Sequence, residues 1–377
     1  MQSLLDFLRP EPKRETAELK VSVSGNLAEI SLGKRSFFIR SDAATPIKHD
    51  VYDFALFGAL ALSISHNVEI KTDLPISRAA IDSAERLKAI MNMWLPRKIY
   101  PAPLNFSNIV ESEPSSFDRP GLMCLSGGVD STFAALEAQE DPKLTHGLLI
   151  AGADYPNAQT SGFKSLKPRV QTIAKKTGLE LITVETSIRK LGFNWDMLHT
   201  LNLAMCLNYH SGHFGWGAFA ADSSPAMEFA AFPWGNNRVI HSALSSARFP
   251  IRHLGRDFSR AAKVRKIIGH PSDVASDLSV CYQEQSHGGN CGVCMKCIRT
   301  RLCILTSGRE LPGLFVQNDK LETIMGNRAP QKNQASKRDD LAVMWELRSD
   351  LADGPVKDAI DGYIKRLKSR TIPLGRR

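Results

Sequence analysis

Two stretches carry residues whose types and spacing could do chemistry. The first is LSGGVDST, residues 125–132, set between the apolar runs GLMC and FAALEA. Its two glycines, Gly127 and Gly128, lack a Cβ and so permit a tight turn and close approach of backbone to a ligand. A helix that follows offers unpaired N–H groups and a positive dipole end. Together these features make an anion site suited to phosphate or pyrophosphate. Ser126 and Ser131 can add hydroxyl donors. A carboxylate in such a loop repels phosphate unless a cation lies between them, so Asp130 implies Mg²⁺ held jointly with substrate phosphates. The Walker A pattern is absent. The plainer alternative is a Gly-rich turn in which Asp130 and Ser131 serve only as caps.

The second stretch is CYQEQSHGGNCGVCMKC, residues 281–297. Cys281, Cys291, Cys294 and Cys297 give the spacing C-x₉-C-x₂-C-x₂-C, four of the chain's seven cysteines. Such clustering argues for metal rather than disulfides. Four thiolates close a tetrahedral Zn²⁺ site and leave no open position, which makes the zinc structural. Gly292 allows the sharp turn of a knuckle, and His287 is read as exposed loop. An iron–sulfur cluster is the weaker alternative.

The elements that must position these residues follow from the hydrophobic rhythm. Up to about residue 116 the chain reads as α+β. ELKVSVSG and AEISLGKRSFFIR are read as two strands with a turn at Gly25-Asn26, residues 52–65 as a buried helix, and VEIKT as a strand. Ser77 is placed as the cap of a helix ended by Pro96. The polar, Pro-containing ESEPSSFDRP, residues 111–120, is the expected domain boundary. Beyond it strands and helices alternate: GLMCLS, THGLLIAGAD, LELITVET and FGWGAFAAD as strands, with helices at PRVQTIAKKTG and DMLHTLNLAMCLNYH. Alternation implies an α/β fold with a doubly wound parallel sheet. Ligands bind such sheets outside the carboxyl ends of the strands, where the SGGVDS, AGADY and AADSS stretches all fall.

SGGVDS resembles the pyrophosphate loop of the N-type ATP pyrophosphatases (PP-loop family). The resemblance implies an adenine nucleotide alpha hydrolase-like fold and cleavage of ATP between its α- and β-phosphates. An acceptor is adenylated and a nucleophile then displaces AMP. Together with the terminal C-x₉-C-G-x-C-x-x-C, the pattern is similar to 7-cyano-7-deazaguanine synthase over about residues 121–301. The family's D-Y and its later glycine and aspartate match Asp154-Tyr155, Gly217 and Asp222. This implies ATP contacts at residues 126–132, Asp154 and Gly217. Arg260, in RDFSRAAK, replaces a family lysine and is expected to clamp phosphate with Asp130 and Ser131 in the catalytic set. Two departures stand out. FNWDMLH replaces the family's V-P-G-R-N, leaving Asp196 and His199 near the missing arginine. SSPAMEFAAFPWGNNR replaces the substrate loop, so Asp222, Trp234, Asn236 and Asn237 become the expected contacts to a flat ring.

The division expected is 1–116, an N-terminal domain for partner recognition; 117–308, the ATP pyrophosphatase domain with its zinc segment; and 309–377, a helical extension. Composition bounds the partners. The net charge is +9 in 377 residues, which favours anionic ligands such as nucleotides. No apolar stretch is long enough for a membrane span and no secretory signal is evident, so a cytoplasmic enzyme is expected. The expected ligands are ATP, Mg²⁺, Zn²⁺ and a small 7-deazaguanine-type molecule. A protein partner through the N-terminal domain and a homodimer are compatible with the added residues, because relatives with extra domains are associated with antiphage operons. Nucleic acid, in a tRNA-modifying enzyme, is the weaker alternative, as is a nucleotide-binding subunit without catalysis.

Overall fold

The structure is a computed structural model that describes residues 12–95, 98–111, 114–141, 143–231, 234–281, 289–330 and 334–369. Pro96, Phe232, Tyr282 and His287 lie outside them. In chain order the elements are β1 (Glu15–Ser24), β2 (Leu27–Leu32), β3 (Arg35–Ser41), α1 (Asp53–His66), β4 (Val68–Thr72), β5 (Ile76–Ser77), α2 (Arg78–Trp94), β6 (Leu104–Phe106) and β7 (Ile109–Val110). Then come β8 (Gly121–Cys124), α3 (Val129–Glu137), β9 (Leu144–Ala151), α4 (Ser161–Lys176), β10 (Glu180–Thr186), α5 (Trp195–Tyr209), β11 (Trp216–Ala220), α6 (Pro225–Ala231), α7 (Arg238–Leu244), β12 (Ile251–Leu254) and α8 (Arg260–Gly269). The chain closes with α9 (Met295–Thr306), α10 (Leu321–Asn327), α11 (Gln334–Asp350) and α12 (Pro355–Lys368).

A large, mostly parallel sheet organises the α/β fold, ordered β12-β11-β8-β9-β10-β3-β2-β1-β4-β6. Strands β8 to β12 pair in parallel. Successive strand residues alternate between two cores. Leu122, Leu148 and Phe219 join the cluster holding α1, α5 and α7, whereas Met123, Leu149 and Ala218 join the one holding α4. A sheet buried on both faces needs apolar residues at every position, which is why GLLIA is continuous. The strand order reverses between β8 and β11. A crevice opens at that point, outside the carboxyl ends of the two strands.

The N-terminal segment departs from expectation in two respects. AEISLGKRSFFIR is not one strand: Gly33, at φ +60°, turns it into the β2–β3 hairpin. Nor does the stretch at 111–120 separate two cores. β3 pairs antiparallel with β10, Ser41 opposite Val184, so one sheet runs across both segments. Helix α1 lies against α5 within the same cluster. At Gly58 a Cβ would fall 2.7 Å from Met205 Sδ and 2.8 Å from the Phe37 ring, so the glycine is what lets α1 approach α5 and β3. The expected cap holds: Ser77 Oγ accepts from the Ala80 amide and donates to the buried Asp53 carboxylate at 2.6 Å. Helix α4 starts at Ser161, with Pro168 inside it, earlier than the PRVQTIAKKTG pattern implied.

The C-terminal helices form a third cluster with α3, α8 and the cysteine segment. Tyr363 donates to Asp340 at 2.8 Å, and Asp340 accepts from Arg299 at 2.6 Å, which ties α12 to α11 and α9. Among the described residues, no helix is long and apolar enough to cross a membrane.

Candidate nucleotide and metal sites

The loop after β8 is built as an anion cradle. Gly127 takes φ +76°, a conformation that favours glycine. A Cβ there would also fall 2.9 Å from Val170. Ser126 and Ser131 hydroxyls lie 3.1 Å apart, and Ser131 Oγ accepts the Ser126 amide at 3.2 Å. The N-cap of α3 is Gly128, which has no side chain to satisfy the first helical amides. Those amides remain directed toward the loop. Val129 turns its side chain into the core, leaving its amide to the loop, and Thr132 is fully buried with an unpartnered hydroxyl.

Asp130 faces two cations from α8. Arg260 Nη1 donates to Asp130 Oδ2 at 2.9 Å, and Lys263 Nζ donates to Oδ1 at 3.1 Å. Lys263 is fully buried and also donates to the Ala221 carbonyl at the end of β11. Ser259 caps α8 by accepting the Ala262 amide at 3.2 Å, which starts the helix where Arg260 and Lys263 share a face. Sequence reasoning named Arg260 but missed Lys263. Its signal was the three-residue spacing from Arg260.

Across the crevice, Asp222 follows β11. Trp234 Nε1 donates to its Oδ2 at 2.7 Å, while Oδ1 is buried without a partner. Burial, and secondarily the nearby Asp130 charge, push the Asp222 carboxyl up to about 7. The other expected contacts are placed differently. Asn237 is the N-cap of α7, accepting the amides of Val239 at 2.9 Å and Ile240 at 3.1 Å. Asn236 donates to the Ala220 carbonyl at 3.2 Å, and its Oδ1 lies 2.7 Å from His241 Nε2. Both asparagines therefore fix the loop rather than face a ligand. Gly217 sits inside β11, where a Cβ would meet Leu207 and Phe249 at 2.9 Å, so it is a packing glycine away from the carboxyl edge. Asp154 is exposed on the loop after β9. Its neighbour Tyr155 is buried and donates to the Cys281 carbonyl at 3.4 Å. His199 Nδ1 is 3.1 Å from the Trp195 carbonyl and is held below its ordinary pKa by burial.

A second histidine set was also missed. His241 and His253 stack with centroids 3.8 Å apart and planes 7° from parallel. Burial lowers both, His253 to about 3, so the pair is neutral. Nothing in the spacing of a helix residue and a strand residue announces such a stack.

The four cysteine Sγ atoms of residues 281, 291, 294 and 297 lie within 4.8 Å of one another. Cys281 and Cys294 Sγ are 3.8 Å apart, and Cys291 and Cys297 Sγ 3.9 Å. Four sulfurs about 2.3 Å from a central Zn²⁺ would be separated by about 3.8 Å in a tetrahedron. The donor set thus fits a zinc ion. Gly292, at φ +86°, passes so close to Gln317 that a Cβ would sit 1.9 Å from its carbonyl oxygen. Asn290 pins the segment: its Oδ1 accepts the Val280 amide at 2.8 Å and its Nδ2 donates to Leu278 and Leu314 carbonyls at 2.8 and 3.0 Å. The same segment supports the anion loop, because the Ser279 amide donates to the Gly127 carbonyl at 2.8 Å.

The remaining thiols differ. Burial pushes Cys124 and Cys206 well above the ordinary thiol range and Cys303 up to about 12. None of these three is an activated thiolate.

No family model matches the chain, and no curated protein or solved structure matches it either.

Proposed function

We propose that this chain is an ATP-dependent enzyme that adenylates a carboxylate and passes the activated acyl group to a nitrogen nucleophile. The observation that carries this reading is the meeting of Asp130 with Arg260 and Lys263 beside the Gly127–Gly128 loop, where the strand order reverses. A carboxylate matched by two cations at a helix N-terminus is the arrangement expected of a metal–triphosphate site before it is filled.

In this reading the amides of residues 127–131, with the Ser126 and Ser131 hydroxyls, hold the β- and γ-phosphates. Bound Mg²⁺ would be held by Asp130 and would neutralise charge on the departing pyrophosphate. Arg260 and Lys263, released from Asp130, would take phosphate oxygens. The acceptor carboxylate oxygen attacks the α-phosphorus, and the bond to the bridging oxygen breaks with its electron pair leaving on pyrophosphate. Ammonia or an amine then attacks the acyl carbon, loses a proton to solvent and expels AMP. The proposed acceptor is a 7-deazaguanine-type carboxylate, giving an amide with ammonia; a second ATP would adenylate the amide oxygen, releasing pyrophosphate, and loss of a proton and of AMP would then leave the nitrile. A protein amine would give a conjugate, as in an antiphage system. Thiolation of tRNA lacks support here, because Cys206 and Cys303 are buried, Cys124 is half-buried, and the pKa of all three thiols is raised.

The test is incubation of zinc-loaded protein with MgATP and 7-carboxy-7-deazaguanine, with and without ammonium, following AMP, pyrophosphate and the mass of the deazapurine. AMP release that requires the deazapurine and disappears in Asp130→Ala is the expected result. No AMP from folded, zinc-loaded protein would overturn the deazaguanine assignment.

A further inference from the structure

The cysteine segment reaches both loops of the anion site. The Ser279 amide donates to the Gly127 carbonyl, in the loop after β8, at 2.8 Å. The Tyr155 hydroxyl, in the loop after β9, donates to the Cys281 carbonyl at 3.4 Å. Both contacts come from one short stretch, residues 279–281, that ends on a thiol of the zinc set. The knuckle opposite is clamped: the Val316 and Gln317 amides donate to the Asn290 and Cys291 carbonyls at 2.8 and 3.2 Å, and Gly292 lies against Gln317. Movement on loss of metal therefore falls to residues 279–281. The four thiols also form two close pairs, Cys281 with Cys294 and Cys291 with Cys297. Cys281 and Cys297 are buried, whereas Cys291 and Cys294 are half-buried, so each pair joins one reachable thiol to one sheltered thiol.

We propose that this segment is a redox switch on the nucleotide loop, in which peroxide converts the zinc-binding thiolates to two disulfides, Cys281–Cys294 and Cys291–Cys297. It rests on the functional reading above only for the identity of the ligand, MgATP. Zn²⁺ has no redox chemistry of its own, so oxidation falls on sulfur. The reachable thiolate of each pair attacks hydrogen peroxide, the O–O bond breaks, and a sulfenic acid and hydroxide result. Its sheltered partner attacks that sulfur, forms the S–S bond and expels a second hydroxide. Two peroxides thus consume four thiolates and yield four hydroxides, which solvent protons convert to water. A disulfide sulfur is no longer the thiolate that binds metal, so the site releases Zn²⁺. Residues 279–281 then lose their anchor. With it goes the hydrogen bond that supports Gly127, the residue whose φ of +76° makes the turn. A thiol reductant returns two electrons to each disulfide and restores the site.

The test treats zinc-loaded, full-length protein with hydrogen peroxide and follows released zinc with a chromophoric chelator, the intact mass, hydrogen exchange and MgATP affinity. Expected are release of the zinc, loss of four hydrogens from the four thiols, and peptide maps that join residue 281 to 294 and 291 to 297. Amide exchange across residues 126–131 should quicken at least tenfold and MgATP affinity fall at least tenfold. Dithiothreitol with added zinc should reverse every change. Exchange in β10 should stay constant, which separates switching from global unfolding. Tyr155→Phe, which keeps all four thiols, should release zinc at the wild-type rate while its loop after β9 no longer responds. Disulfide formation without faster exchange at residues 126–131 overturns the proposal. So do irreversible oxidation to sulfonic acids, equal acceleration in β10, and reduced protein that holds no zinc. Reduced, zinc-loaded protein that binds no MgATP would overturn the functional reading instead, and the exchange measurements would still decide the switch.

Discussion

Lys263, fully buried, places its ammonium 3.1 Å from Asp130 across the crevice between α8 and the loop after β8. Arg260 holds the second oxygen of the same carboxylate. Removing one partner of a buried pair leaves the other charge uncompensated, a loss of roughly 3–5 kcal/mol. Asp130→Asn strands the buried Lys263 ammonium and should therefore destabilise the chain by about 3 kcal/mol, and Lys263→Met combined with it should recover part of that loss. Urea unfolding of both single variants and the double variant checks this. Additive effects would show that the two groups are not coupled.

Gly127 and Gly128 separate two meanings of the loop. Gly127→Ala forces a Cβ into φ +76° and against Val170, and should cost about 1–2 kcal/mol of stability. Gly128 has an ordinary φ of −74°, and the nearest atom to a Cβ there is 3.5 Å away. Gly128→Ala should leave the melting temperature unchanged. Its methyl group nonetheless enters the space where an anion would approach, so MgATP affinity should fall at least tenfold. Unchanged affinity by calorimetry would reduce the loop to a structural turn.

The cysteine segment and the anion loop share the Ser279-to-Gly127 hydrogen bond. Zinc removal by a strong chelator should therefore lower the melting temperature and also weaken MgATP binding. Cys291→Ser should reduce bound zinc below one ion per chain, as read by atomic emission, and reproduce both effects. Retention of full nucleotide affinity in zinc-free protein would disconnect the two sites.

Asp222 carries a pH signature. Its folded pKa, about 7, stands above the unfolded carboxyl value near 3.8. The folded chain thus binds more protons between these values, and stability falls as pH rises from about 4 to about 7, by at most roughly 1.4 kcal/mol per pH unit. Above that window the contribution is flat. Asp222→Asn should remove this component and stabilise the chain at neutral pH, because an amide oxygen can still accept from Trp234. Urea midpoints at pH 5 and pH 8 in both proteins measure the difference.

Much of the site was legible because it is local. SGGVDS specifies its turn through Gly127 and its paired hydroxyls within six consecutive residues. Three of the cysteines lie within seven residues, so their approach to one point needs only a knuckle, and Gly292 provides it. Alternating apolar runs fixed the parallel sheet, since a strand buried on both faces has no other way to be written. The Ser77 cap was equally local, a hydroxyl three residues before the amide it accepts.

Tertiary structure decided what depends on residues distant in sequence. Asp130 and Lys263 meet across 133 positions because β8 and β11 are neighbours, a consequence of strand order that periodicity does not encode. Asn237, chosen from its polarity as a ligand contact, is consumed by the first amides of α7. Gly217, matched to a glycine of the resembled family, turns out to be space for Leu207 and Phe249. The polar stretch at 111–120 read as a boundary, yet the free edges of β3 and β10 paired and carried one sheet through it. Composition can mark where a chain leaves its core; which edge then meets which is settled by backbone groups that every residue carries alike.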